Sequence, residues 1–332
     1  MLIIEQNAVY ELDCECLQKK RGRFANGYCK EDASKEAIIV QKGDICKERL
    51  SYTGRGVTVA VLDTGLYPHP DFKERIVGWY DAIGKEAYPI DLNGHGTHVA
   101  GIIAGDGTMS GGHIQGVAPG AQLVGVRVLD SQGKGKLTSM LDGIRWILAN
   151  YRRLGIRIVN ISVGSVKKQR ENSQLVRAVE SLWDCGLVVC SAAGNEGVTR
   201  HTITSPGISR KIITVGSSDD KEMVDETGKL HFNYSGRGPT VDCICKPEIV
   251  APGTNIVATN VIRKPTDHPY TVKSGTSMST PMVSGAIALL LERYPKMTNK
   301  NVKLALFKSA KNLGFSRSHQ GWGMLDISHL LE

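Results

Sequence analysis

Apolar residues along the chain come in short dense blocks separated by polar, glycine-bearing stretches. Val57-Thr58-Val59-Ala60-Val61-Leu62 is a β-branched run with no polar face, the pattern of a strand covered on both sides in a parallel sheet. Residues 122–129, 156–161, 187–193 and 212–216 repeat it. Between these blocks the period changes. Leu137, Leu141, Ile144, Ile147 and Leu148 fall on one stripe and predict an amphipathic helix over 137–151. Residues 175–183 predict a second helix. Residues 93–105 place small residues at helical spacing, which predicts a helix pressed closely on its neighbours. Met282 to Leu291 reads as a buried helix, and 301–309 as a last one. Strand–helix alternation at this spacing predicts an α/β fold: a mostly parallel sheet sandwiched by helices in three layers. No internal repeat or low-complexity linker interrupts it. Residues 51–332 are therefore read as one domain. Residues 1–50 are mixed and polar, with Ile38-Ile39-Val40 as the one candidate strand, and read as an N-terminal extension.

Composition narrows the function classes. The chain has 332 residues, 41% hydrophobic and 22% charged, with 37 glycines. This composition fits a globular α/β protein rich in tight turns. Net charge is +8, but the basic runs at 19–23 and 167–170 carry no interleaved aromatics, so no nucleic-acid partner is expected. No basic-then-apolar leader is visible at the start, and no apolar run is long enough to span a bilayer. The expectation is a cytoplasmic protein with no membrane partner. Eight cysteines are present. Cys14-x-Cys16 and Cys243-x-Cys245 have one-residue spacers, unlike the two to four of zinc sites. Reduced thiols and no metal site at these cysteines are expected.

Chemistry-bearing residues stand where the predicted elements begin or end. Asp63 closes the first strand, where open α/β sheets place their sites, although an Asp there can simply cap a turn. A dinucleotide site is not indicated: Gly54-Arg55-Gly56 precedes the strand, and Gly133-Lys134-Gly135-Lys136 lacks the third glycine. His95 and His98 are three apart, the spacing of a metal pair, but His-Glu-x-x-His is absent. Asn195 sits on a glycine-flanked loop, as a left-handed turn residue or as an amide donor to a developing oxyanion. Ser277 opens the helix into Leu291. Alone it would read as an N-cap. Taken with Asp63 and His95 it reads as a nucleophile. A serine hydroxyl needs a base in contact, an imidazole accepts its proton near neutral pH, and a carboxylate fixes the imidazole tautomer.

These residues carry a family resemblance. Val61-Leu62-Asp63-Thr64-Gly65, His95-Gly96-Thr97-His98-Val99-Ala100-Gly101, Ala192-Ala193-Gly194-Asn195-Glu196-Gly197 and Gly275-Thr276-Ser277-Met278-Ser279-Thr280-Pro281 together resemble the subtilisin-like serine proteases, in character closest to the intracellular bacterial ones. The resemblance runs from about Gly54 to the C-terminus. It implies a seven-stranded parallel sheet and endopeptidase activity through an acyl-enzyme. Ser277 would be the nucleophile, His95 the base, Asp63 its orienting group and Asn195 an oxyanion donor, with His98 structural. It further implies that Ser162, Val163 and Gly164 form one peptide-pairing edge and the stretch holding Gly133 and Gly135 the opposite one. Thr204 would lie near the pocket floor, and Glu196 at a rim where its charge would favour a basic side chain. No cofactor is implied for catalysis. A structural Ca²⁺ rests on Asp71 alone, because Asp106-Gly107-Thr108-Met109-Ser110-Gly111-Gly112-His113 lacks an evident Asn ligand. Met278 would be open to oxidation. Polypeptides are the implied substrates, and the segment from Met1 to about Lys35 is expected to lie across the active site as an intramolecular inhibitor. A different class, a degenerate relative that binds peptides without cutting them, would be signalled by loss of a triad residue, and all three are present.

Overall fold

A computed structural model describes residues 1–5, 7–20, 52–164, 173–224 and 228–332. The buried β-branched runs form the expected strands. β3 (Thr58–Asp63) has every residue buried. It lies between β5 (Gln122–Arg127) and β6 (Ile156–Ile161), followed outward by β7 (Val188–Ala192), β8 (Ile213–Ser217) and β11 (Ile249–Ala251) on one side. β4 (Ile76–Asp81) closes the other edge. All six pairings in this seven-stranded sheet are parallel. A mixed Ile-Val-Gly-Trp-Tyr-Asp segment makes β4, which the apolar-block pattern passes over because an edge strand is only half-buried.

Helices cover both faces. α2 (His95–Ala104) and α5 (Thr276–Arg293) pack together against the sheet, and α3 (Leu137–Asn150) and α4 (Gln174–Asp184) pack together on the other side. α6 (Asn299–Ser309), α7 (Arg317–Gln320) and α8 (Ile327–Leu330) follow α5. Two antiparallel hairpins, β9 (Glu222–Val224) with β10 (Leu230–Phe232) and β12 (Ile256–Thr259) with β13 (Tyr270–Lys273), lie outside the sheet. One hydrophobic core runs through the sheet and both helix layers. No helix among the described residues is long and apolar enough to cross a membrane.

Two expectations fall on the N-terminal extension. β1 (Leu2–Ile4) and β2 (Val9–Glu11) form a hairpin, followed by α1 (Cys14–Lys20). Ala8 and Tyr10 pack on Ile244 in a small core of their own. Backbone bonds Asp13 N to Cys243 O (2.8 Å) and Cys245 N to Glu11 O (2.7 Å) extend the contact, and Trp183 Nε1 donates to the Asn7 carbonyl. The segment 1–20 is thus held by residues around 183 and 243–245 and contributes nothing to the lining of the cleft described below. The rest of the expected inhibitor, and the candidate strand 38–40, lie outside the described residues. Cys16 and Cys243, 227 positions apart, are joined in a disulfide with Cα atoms 5.5 Å apart. This corrects the expectation of reduced thiols for that pair, because docking the extension brings together two residues that sequence spacing could not relate. Cys14, Cys185, Cys190 and Cys245 are free thiols.

The fold fixes the helix that carries His95 by contact without clearance. A methyl group added at Gly96 would stand 2.2 Å from the Gly65 carbonyl oxygen and 3.0 Å from Asp63 Cβ. Gly96→Ala must therefore push α2 away from the end of β3. We expect a loss of about 1–3 kcal/mol in urea unfolding, together with a loss of turnover larger than the stability change alone produces. Wild-type stability in this variant would refute the contact.

Candidate active site

Parallel strands align their carboxyl ends. Asp63 ends β3, Ile161 ends β6 and Ala192 ends β7, so Asp63, Ser162 and Asn195 emerge along one edge of the sheet. Asp63 is fully buried. Its Oδ1 accepts from the Thr64 N–H and from His95 Nδ1, both at 2.7 Å. A carboxylate oxygen can only accept, so Nδ1 carries the proton and Nε2 is left as the basic nitrogen. Burial lowers the His95 pKa, but the charge and hydrogen bond of Asp63 outweigh it, and the net shift is upward.

A second carboxylate, passed over in the sequence, builds the start of α2. Asp91 Oδ1 accepts from Thr64 Oγ1 (2.9 Å), Asn93 N (3.0 Å) and Gly94 N (2.8 Å), and Oδ2 from Thr97 N (2.9 Å) and Thr97 Oγ1 (2.7 Å). It pairs the first free N–H groups of the helix with an anion. The readable signal is an acid shortly before a helix whose first turn carries a hydroxyl residue. His98, on the buried face, has Nε2 3.1 Å from Ile256 O and 3.2 Å from Thr271 O, which pins α2 to the β12–β13 hairpin. It stands apart from any metal pair: no group of three or more potential metal ligands occurs among the described residues.

Ser277 is the second residue of α5, behind an N-cap at Gly275 that makes no side-chain cap bond. The capping alternative therefore fails, because the Ser277 hydroxyl donates to the Ser162 carbonyl at 2.7 Å. No hydrogen bond joins it to His95. Pro281 lies inside the helix, beyond the positions whose N–H groups are spare. It therefore costs a helical bond, leaving the Ser277 carbonyl without its donor four residues on. Ser162 Oγ supplies a substitute at 3.0 Å. Met278, the residue after Ser277, is 1% exposed, so access to its sulfur is limited by packing.

Asn195 is oriented by Thr276. Its Oδ1 accepts from Thr276 N and Thr276 Oγ1, each at 3.0 Å, and Thr276 Oγ1 also accepts from Gly194 N at 3.2 Å. With the oxygen consumed, the Nδ2 donor end faces Gly275, one residue before Thr276-Ser277. A cleft of about 510 Å³ lies alongside. Gly133, Gly135, Ser162, Val163, Gly164, His95 and Thr64 line it, with Leu129, Met140 and Leu175 as apolar lining. Thr204 is buried and wedged against both Gly164 and Gly194, where a Cβ on either would stand within 2.4 Å of it. Thr204 supports the wall from behind. Glu196 is exposed and, like Asn195 and Ser277, is not among the residues that line the cleft.

Asp71 does not fit a calcium ion. It is fully buried, with Oδ1 accepting from Met109 N (2.9 Å) and Oδ2 from the Tyr270 hydroxyl (2.7 Å). Arg75 Nη1 donates to Ala104 O (2.7 Å) and Ala121 O (3.0 Å), and Nη2 to the Asp71 carbonyl. Lys73 pairs with Asp106 at 2.8 Å. Calcium takes six to eight oxygens, and here the neighbouring oxygens are already occupied by the chain's own donors and cations.

The two histidines respond oppositely to acid. Burial drives His98 down to about 3, and its Nδ1 is buried without a partner, so a second proton there has no acceptor. The folded pKa lies below the unfolded value of about 6.5. Its stabilising contribution is therefore complete above pH 6.5 and lost as pH falls toward 3, at up to about 1.4 kcal/mol per pH unit. Urea unfolding between pH 6.5 and 4.5 should show this one-proton slope, and His98→Gln, though less stable, should lack it. An unchanged slope in that variant would rule His98 out as its source.

Residues 54–323 match the model of the subtilase family, peptidase S8. The chain is 42% identical over 291 residues to the serine protease AprX of Bacillus subtilis (strain 168), covering 82% of this chain and 64% of that protein. It is 34% identical to subtilisin DY of Bacillus licheniformis, covering 83% and 91%. It therefore spans slightly less than two thirds of AprX and most of subtilisin DY. Among solved structures, a cold-adapted subtilisin-like serine proteinase superposes with a TM-score of 0.65 at 31% identity, covering 83% of this chain and 89% of that one. Sphericase gives 0.64 at 31%, covering 79% and 86%. The matched span contains Asp63, His95, Asn195 and Ser277 on the seven-stranded scaffold just described, and the chain belongs to the subtilase family.

Proposed function

We propose that the chain is a serine endopeptidase. The observation that carries this reading is the 2.7 Å Asp63–His95 bond beside a cleft lined by His95 and by Ser162, whose carbonyl holds the Ser277 hydroxyl. An extended polypeptide would pair with the edges at Gly133-Lys134-Gly135 and Ser162-Val163-Gly164, as strands add to an open edge. Ser277 Oγ attacks the scissile carbonyl while His95 Nε2 takes its proton. The Asn195 Nδ2 amide and the Ser277 N–H receive the charge that develops on oxygen, an arrangement worth about 3–4 kcal/mol per donor. His95 then returns the proton to the leaving amine, and water repeats the sequence on the acyl-enzyme. The relatives, named as proteases, support cutting over mere peptide binding. The Cys16–Cys243 disulfide supports work in an oxidising compartment over the cytoplasmic location expected from the sequence, since such bonds persist where thiols are not continually reduced.

Two measurements test this reading. Ser277→Ala should fold with wild-type stability, lose about 10⁶ in kcat, a magnitude known for subtilisin, and resist a fluorophosphonate that labels the wild type. Retained turnover would remove Ser277 from the mechanism. Failure of the folded wild type to label would favour the non-cleaving class. The acid limb of kcat/KM should lie above the ordinary histidine value, because only neutral His95 is a base and Asp63 raises its pKa. In Asp63→Asn that support is gone and only the smaller effect of Asp91 opposes burial, so the limb should move to lower pH while kcat falls by about 10⁴. A limb that stays in place would mean a group other than His95 controls it.

A further inference from the structure

A chain of buried polar side chains connects the third strand of the site to the nucleophile, and the mechanism above does not use it. Asn160 lies in β6 among Val159 and Ile161, fully buried. An amide there is costly unless every group is bonded. Its Oδ1 accepts from Ser284 Oγ of α5 at 2.8 Å, and its Nδ2 donates to Ser162 Oγ at 2.8 Å. Ser162, 2% exposed, spends its one hydroxyl proton on the Ser277 carbonyl, 3.0 Å away. That carbonyl is free because Pro281 brings no N–H to it. The Ser277 hydroxyl in turn donates to the Ser162 carbonyl at 2.7 Å. The nucleophile is therefore gripped at both its carbonyl and its hydroxyl by one residue, and that residue is oriented by Asn160.

A purely structural account would make this a pin between β6 and α5. Two features go beyond a pin. The polar chain ends on the reacting residue, at the only helical carbonyl that the proline exposes. The direction of its bonds is also fixed: an amide N–H must donate to Ser162 Oγ, which obliges the Ser162 proton to point at Ser277. We propose that Asn160 and Ser162 are positioning residues for the nucleophile, acting through the side chain of Ser162 on the backbone of Ser277. The proposal rests on Ser277 being the nucleophile.

The test compares Ser162→Ala, Asn160→Asp and their double variant by kcat, KM and the second-order rate of fluorophosphonate labelling. Ser162→Ala keeps the peptide-pairing backbone and removes only the hydroxyl. We expect kcat and labelling to fall together about 10-fold, with KM within twofold of wild type. Asn160→Asp turns a donor into an acceptor for the Ser162 proton when ionised. The hydroxyl then turns away from Ser277, and at pH 9 the same fall is expected. Because both act through one bond, the double variant should be no worse than either single one. Ser162→Thr, which keeps the hydroxyl, should restore labelling. Either single variant within twofold of wild-type kcat, or losses that multiply in the double variant, would overturn the proposal. Asn160→Asp reports independently should the alanine variant fail to fold. Turnover retained by Ser277→Ala would instead overturn the assignment of the nucleophile on which the proposal rests.

Discussion

The close packing of the first turn of α2 against the end of β3 is the constraint on which the site depends. Asp63 is delivered by a strand with no exposed residue, and His95 by the first position of a helix that touches that strand at Gly96. Neither side chain could hold a 2.7 Å bond if either element were free to slide. Asp91 contributes from below by binding the helix N-terminus and Thr64, the residue after Asp63, through the same carboxylate. Two buried acids thus share the work. One sets where the helix begins, and the other sets how its first side chain points. Both oxygens of Asp91 accept bonds from groups at the helix start that would otherwise lack partners, whereas Asp63 is held through Oδ1 alone, its Oδ2 being buried without a partner.

Much of this was legible in the amino-acid sequence, for a physical reason. A strand buried on both faces must be apolar throughout, so β3, β5, β6, β7 and β8 announced themselves as runs. Asp63 and Asn195 stood out because polar residues follow those runs abruptly. What stayed hidden depended on partners distant in sequence. β4 is half-buried and carries Gly78, and the short β9–β10 and β12–β13 hairpins take their shape from pairing more than from pattern. The Cys16–Cys243 bond spans 227 positions. Lys246 and Lys303 are both buried against Glu248 at 2.7 and 2.9 Å. A charge at such a position reads as surface until its counter-ion is located. The family resemblance pointed to Asp71 as a calcium ligand. It could not foresee that Met109, Tyr270 and Arg75 would occupy the oxygens around it.

Pro281 shows how a local rule broken at one place is answered at another. In a buried helix an unpaired carbonyl costs about 1–3 kcal/mol, and Pro281 has no N–H to give the Ser277 carbonyl. The answer comes from the neighbouring strand, through Ser162, and is anchored two residues earlier at Asn160. A defect in helical bonding thus becomes a cross-link between the helix that bears the proposed nucleophile and the strand edge proposed to receive the peptide. The same exchange explains an Asn at a position where the β6 pattern otherwise asks for an apolar residue.

The resting direction of the Ser277 hydroxyl follows from the same geometry and is compatible with its proposed role. A hydroxyl has one proton, so a bond to the Ser162 carbonyl excludes one to His95 at that moment. A neutral hydrogen bond contributes about 0.5–1.5 kcal/mol net, so the preference of the hydroxyl for one acceptor over the other is a fraction of that. Such a gap leaves the minor orientation populated at roughly a tenth or more, since 1.4 kcal/mol corresponds to a factor of ten. A barrier that enzymes lower by 8 kcal/mol or more is scarcely affected by a penalty of that size. A peptide amide paired to the Ser162 carbonyl would shrink it further, by making that oxygen a poorer acceptor for the hydroxyl. On hydrogen-bond energetics alone, leaving the Ser162 carbonyl costs the Ser277 hydroxyl about 0.5–1.5 kcal/mol, small against the barrier that the proposed chemistry must cross.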